Sequence, residues 1–264
     1  MMAESVTSYL ILDGAAFDAL KTVYTQDDSP WVDWLYRGTR HEPAVDASPL
    51  LVKPSADSRL WEAEDDWVDY AVGLESPAGP DLVAAHLRSL ISVRLPSGQF
   101  SYCRFYSGGQ LPVFLQAMDE GARQAFSGPI QTWYHPGSKP SWEAIQVSGS
   151  AQSRTADDEG WFQVTPEQLD RLNQSKANRF LSKLARHLEM DPGPATRERL
   201  RQTMQSARQH GFESEKDIAR YAELILGREE QLAETACQDI LADPTLTNVE
   251  KLGMLDHQLA YGGA

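Results

Sequence analysis

The chain has 264 residues, 41% of them hydrophobic and 9% aromatic, enough to bury one large core or two smaller ones. Its formal net charge of −14 divides into −11 over residues 1–160 and −3 over 161–264. An acidic first part repels phosphate backbones and argues against nonspecific nucleic-acid binding.

No apolar run approaches the roughly 20 residues that a bilayer span needs. The start MMAESVTSYLILDGA lacks the basic head and long apolar stretch of a signal peptide, so a cytoplasmic protein without membrane partners is expected. Cys103 and Cys237 form no CxxC pair and are expected as reduced, partly buried thiols.

Strand-like and helix-like segments alternate through the first part. Tyr9–Leu12 reads as a strand stopped by Asp13-Gly14, and Phe17–Tyr24 as a short helix. Trp34–Tyr36, Leu50–Val52 and Val68–Leu74 read as further strands. A helix opens at Pro80-Asp81, with Leu82, Val83, Leu87 and Leu90 at helical spacing. A β-hairpin follows it: Ile91–Leu95, a turn at Pro96-Ser97-Gly98, then Phe100–Tyr106 with Phe100, Tyr102 or Cys103, and Phe105 as candidate inward positions. Gln110–Phe126 is helical with a break near Asp119–Gly121, and strands follow at Ile130–Tyr134 and Trp142–Val147.

Ser148–Gly160 has no apolar period and reads as an exposed connector. Beyond it, Thr165-Pro166-Glu167-Gln168 supplies an N-cap, a proline at the first helical position and a capping-box glutamine. The stripe Leu169, Leu172, Phe180, Leu181, Leu184, Leu188 continues that helix to Pro192–Pro194. Further helices are expected around Leu200 and Met204, from Ile218 to Gly227, from Leu232 through Leu241, and after Thr247, about five in all. The expected class is α+β: a mixed α/β lobe around one sheet (1–148), a connector (149–164) and an all-α lobe (165–264).

A search for catalytic or metal-binding patterns returns little. The six histidines are scattered, and P-loop, GxGxxG and GxSxG signatures are missing, so no catalytic residue, cofactor or metal is expected. One alternative is Asp13, at a strand end, with Glu64, Asp65 or Asp66 as partner ligands of a metal-dependent hydrolase. Against it, Asp-Gly is ordinary turn chemistry and an acidic run is usually solvated.

All seven tryptophans precede the helical part. Most are expected in the core, and any that are exposed are interface candidates. Arg37 and Arg104 sit beside aromatics, where a buried arginine would need a carboxylate such as Asp13. Arg171, Lys176, Arg179, Lys183 and Arg186 form a run without acids on the expected long helix. The candidate partner contacts are Tyr36, Arg37, Arg104, Tyr106, Trp133, Arg171, Arg179, Lys183 and Arg186.

The serial order of YLILDGA (9–15), LYRGT (35–39), SPLLV (48–52), HLRSLISVRLPSGQ (86–99), CRFYSGGQLPVFL (103–115) and FSGPIQTW (126–133), with a helical tail, resembles the Tap/TEC family of type VI secretion adaptor chaperones. The chain departs from the family at Ser107-Gly108-Gly109, where an acidic, proline and basic trio is common. The resemblance implies a bacterial, non-enzymatic, cytoplasmic protein that binds a toxic effector and helps load it onto the VgrG spike. Which lobe holds which partner is not written in the sequence; the hypothesis is that the motif-rich first lobe meets the shared spike component and the helical lobe the variable effector. An immunity protein that blocks a toxin is the other binding-protein alternative.

Overall fold

The computed structural model describes residues 6–137, 142–150, 152–191 and 193–262. Pro192, expected in a helix stop, and Ala151, inside the expected connector, lie outside them. The class is α+β, in two compact units, Met1–Leu172 and Asn173–Ala264.

The first unit is built on an antiparallel sheet of six strands. In chain order its elements are β1 (Thr7–Leu12), α1 (Ala19–Gln26), β2 (Trp31–Trp34), β3 (Leu50–Lys53), α2 (Glu64–Trp67), β4 (Ala71–Ser76), α3 (Pro80–Ser89), β5 (Ser92–Arg94), β6 (Phe100–Tyr102), α4 (Leu111–Ala117), α5 (Glu120–Ser127), β7 (Thr132–Pro136), β8 (Trp142–Gln146) and the start of α6 (Pro166–His187). The sheet order is β2-β3-β1-β4-β7-β8, and β5 and β6 form a separate hairpin. Tyr9–Leu12 are all buried, because successive side chains of a central strand enter the cores on its two faces.

On one face Tyr9, Ile11, Leu51, Val72, Leu74 and Trp133 meet Val83 and Leu87 of α3, Leu90 just after it and Phe126 of α5. On the other, Leu10, Leu12, Leu50, Val52 and Ala71 meet Ala19 and Val23 of α1, together with Leu60 and Trp67. The sheet is therefore the middle of three layers, and each face carries its own surface. Caps set the helix starts: Asp18 accepts from Lys21 N at 3.2 Å, and Asp119 from Ala122 N at 2.7 Å. Asp119 is also the break expected between α4 and α5.

Several expectations depart from the structure: of Trp34–Tyr36, read as a strand, only Trp34 lies in β2 and Leu35–Tyr36 form a turn, and Val68–Tyr70, read as the start of a strand, is a helical turn before β4. Leu82, expected on the buried stripe of α3, is exposed, and His86 takes an inward position with Val83, Leu87 and Leu90. Phe100 and Tyr102 point outward, because the hairpin ends at Tyr102 and the buried phase resumes at Cys103 and Phe105. The 149–164 segment is anchored as well as exposed: Phe162 and Val164 enter the core, and Arg94 exchanges backbone hydrogen bonds with Phe162 and Val164. The compact division accordingly falls between Leu172 and Asn173. Both cysteines are free and buried, and burial pushes the Cys103 thiol up to about 12, far from a reactive thiolate.

His86 is fully buried between two backbone partners. Its Nε2 lies 2.9 Å from Phe126 O, and its Nδ1 accepts from Arg154 N at 3.3 Å, a pattern that only the neutral ring with hydrogen on Nε2 satisfies. Burial lowers its pKa below the ordinary 6.5. The unfolded chain thus binds the proton first, so this contribution to stability is full above pH 6.5 and is lost as the pH falls toward the depressed folded value. Urea unfolding of wild type and His86→Gln at pH 7.5 and 5.5 checks this: wild type should lose more stability on acidification, and parallel losses would contradict it.

The second unit holds the rest of α6 and α7 (Pro194–Gln209), α8 (Glu215–Ile225), α9 (Glu229–Leu232), α10 (Thr235–Ala242) and α11 (Asn248–Tyr261). Its core joins Phe180, Leu181, Leu184, Leu200, Met204, Phe212, Ile218, Tyr221, Ile225, Leu241 and Leu255. The expected capping box of α6 is present: Gln168 N donates to Thr165 Oγ1 at 3.2 Å and Thr165 N to Gln168 Oε1 at 3.1 Å. The segment expected as one helix from Leu232 to Leu241 is divided at Glu234, whose extended backbone caps α10.

Candidate functional site

Two sequence-distant turns converge on the β5–β6 hairpin. The first follows β2, where Tyr36 N donates to Ser48 Oγ at 3.0 Å and Thr39 Oγ1 to Tyr36 O at 2.8 Å. Gly38 takes φ +71° there, a left-handed conformation that suits glycine. This turn displays Arg37, whose guanidinium lies 4.2 Å from the Trp34 ring centre, and Arg40. The second is the segment around Gly160, which lies against the hairpin.

Phe100 is the centre of the surface. It is 40% exposed, and two guanidinium groups lie over its ring, Arg40 at 3.6 Å and Arg94 at 4.4 Å from its centre. Cations over an aromatic face are attracted by its quadrupole, so the three side chains order one another without covering the ring. Glu159 fixes Arg40 from behind by accepting from Arg40 N at 2.9 Å, and its carboxylate lies 3.5 Å from Arg40 Nε and 3.7 Å from His41 Nε2.

Beside Phe100, the hydroxyls of Tyr36, Tyr102 and Tyr106 form a mutual hydrogen-bond cluster. Burial raises the Tyr102 and Tyr106 phenols above their ordinary range, so both stay neutral donors and acceptors. Only Tyr102, 39% exposed, reaches the surface; Tyr36 and Tyr106 support it from the core. Arg104 completes the patch, with its guanidinium 5.7 Å from the Tyr106 ring and paired with Asp13 Oδ2.

The result is a half-exposed array of Arg40, Arg94, Arg104, Phe100 and Tyr102 on a strongly acidic chain, while Arg37 lies on Trp34 and pairs with Asp33 at 3.5 Å. Rigid aromatics framed by arginine are the residue types that dominate protein–protein hot spots. Of the expected contacts, Arg104 lies in this array and Tyr36 and Tyr106 beneath it, while Arg37 lies on Trp34 in the turn after β2. Trp133 does not: it is fully buried and donates from Nε1 to Ser127 Oγ at 3.0 Å, so it is a core residue rather than a surface contact. Sequence reading missed Arg40, Arg94, Phe100 and Tyr102. The available signal was the period of two linking Phe100 and Tyr102, with Arg94 opposite Phe100 in the hairpin register.

Asp13 is engaged rather than available. It is 4% exposed, pairs with Arg104 and accepts from Ala15 N at 3.1 Å. Glu64 accepts from Trp142 Nε1, a different partner. Among the described residues no group of three or more His, Cys, Asp or Glu side chains is placed to hold a metal ion. Asp13→Asn should therefore cost stability by about 1 kcal/mol, the scale of a partly exposed ion pair, and added Mg²⁺ should not shift the unfolding midpoint of wild type. A wild-type shift with Mg²⁺ that Asp13→Asn abolishes would restore the hydrolase alternative.

In the second unit, Arg179, Lys183 and Arg186 are exposed on α6 at helical spacing with Lys176, and among the described residues none of the four is in an ion pair. Arg171 instead donates to Ala117 O at 3.2 Å within the first unit.

Residues 8–125 match the family model described as a domain of unknown function, DUF4123. No curated protein and no solved structure matches the chain.

Proposed function

We propose that the protein is a cytoplasmic adaptor chaperone of a bacterial type VI secretion system. It binds a toxic effector and helps load it onto a VgrG spike, with no chemistry of its own. The observation that carries this reading is the match of residues 8–125 to the domain associated with such effector adaptors. The arginine–aromatic array supports it, because all five of its residues fall inside the matched stretch and are of the hot-spot type.

In this reading the array meets the spike and the basic face of α6 meets the effector. Full-length protein tagged and purified from a host expressing the secretion system tests it by mass spectrometry of what co-purifies. A spike protein together with a toxin whose activity persists in the complex supports an adaptor. Recovery of a silenced toxin without the spike would instead favour an immunity protein.

A further inference from the structure

The opposite face of the sheet carries an exposed tryptophan that the proposed function does not use. Trp61 is 48% exposed. Its indole packs edge-on against Trp67 at 5.4 Å and Trp142 at 6.3 Å, and those two rings lie 6.2 Å apart, so the three form a triangle with one ring facing solvent. The inner two are pinned: Trp67 Nε1 donates to Leu60 O at 3.0 Å and Trp142 Nε1 to Glu64. Ordering this ring costs a partner nothing, because the triangle has already fixed it.

The surroundings specify the partner's charge. Residues 57–69 hold six carboxylates, Asp57, Glu62, Glu64, Asp65, Asp66 and Asp69, against one base, Arg59. Glu62, Asp65 and Asp66 are exposed within five residues of Trp61. A cavity of about 310 Å³ lined by Val6, Leu10, Lys53 and Pro54 borders the same indole. With Lys53 counted, residues 53–69 hold two bases against six carboxylates, so the surroundings of Trp61 remain acidic.

We propose that this face is a docking site for an arginine-bearing segment of a protein partner, the guanidinium lying on Trp61 and its neighbours pairing with Glu62, Asp65 and Asp66. Arginine is favoured over lysine because its planar group stacks on an indole while its edge still donates to carboxylates. The site does not depend on the adaptor reading.

The test is fluorescence anisotropy of a labelled tetra-arginine peptide with the full-length protein, with tetra-lysine as comparator. Trp61→Ala should weaken tetra-arginine binding by about tenfold, and Trp61→Phe should retain most of it. Because an acidic protein attracts any polycation, Asp65→Asn/Asp66→Asn is compared with Glu230→Gln/Asp239→Asn, which removes the same charge from exposed positions of the second unit. The first pair should weaken binding more than the second. Failure of the peptide to bind, an unchanged affinity for Trp61→Ala, equal losses from the two charge pairs, or no preference over tetra-lysine would each overturn the proposal. Thermal unfolding of Trp61→Ala alongside wild type separates loss of the site from loss of the fold.

Discussion

Replacing Gly128 with alanine should destabilise the first unit by about 3 kcal/mol, from two separate causes. Gly128 ends α5 with φ +54°, where an L side chain is strained by about 1 kcal/mol or more. An added Cβ would also stand 2.4 Å from Cε1 and Nε2 of His86, well inside contact distance. The imidazole has no room to withdraw, being fully buried and bonded to Phe126 O and Arg154 N, so overlap adds about 1–3 kcal/mol. Urea unfolding measures the total. In a His86→Ala background the overlap is relieved, so Gly128→Ala should cost less there than in wild type. An equal cost in both backgrounds would show that His86 does not crowd the site.

Removing the exposed ring pair, Phe100→Ala with Tyr102→Ala, should leave the fold nearly intact while weakening spike binding by at least about 30-fold, the equivalent of about 2 kcal/mol at an aromatic hot spot. The small stability cost follows from exposure, since both rings already spend much of their area in water. The large affinity cost follows from pre-organisation: Arg40 and Arg94 hold Phe100, and Tyr36 and Tyr106 hold Tyr102. Gly160→Ala provides a second route to the same surface. A Cβ at Gly160 would lie 2.0 Å from Phe100 Cε1, so the ring must move although no array residue has changed. Binding by isothermal calorimetry should fall with Gly160→Ala as well, and affinities unchanged in both variants would remove the array from the interface.

How far the sequence was legible depends on how local the signal is. The capping box at Thr165 and Gln168, the α4–α5 break at Asp119 and the hairpin turn at Pro96–Gly98 each rest on a few adjacent residues, and each appears where expected. The pairing of Arg104 with Asp13, weighed from their chemistry alone, is also present. What escaped depends on contacts between distant segments. Phe100 alternates correctly for either face of a strand, and only the arrival of Arg40 over the ring and Gly160 at its edge fixes it as an outward ring. Trp133 and Trp61 are indistinguishable by residue type, yet the sheet buries one and leaves the other as the outer ring of a triangle. The 149–164 segment has the composition of a connector, but Phe162 and Val164 at its end return it to the core.

The array on the β5–β6 hairpin is proposed to bind a secretion-system partner. The most direct measurement is the amount of spike protein captured from a secretion-competent host by tagged wild type and by the folded Phe100→Ala/Tyr102→Ala variant, compared at equal bait. Capture by wild type that is lost with the variant is the predicted result. No spike recovered by either protein, while the host expresses the system, would contradict it.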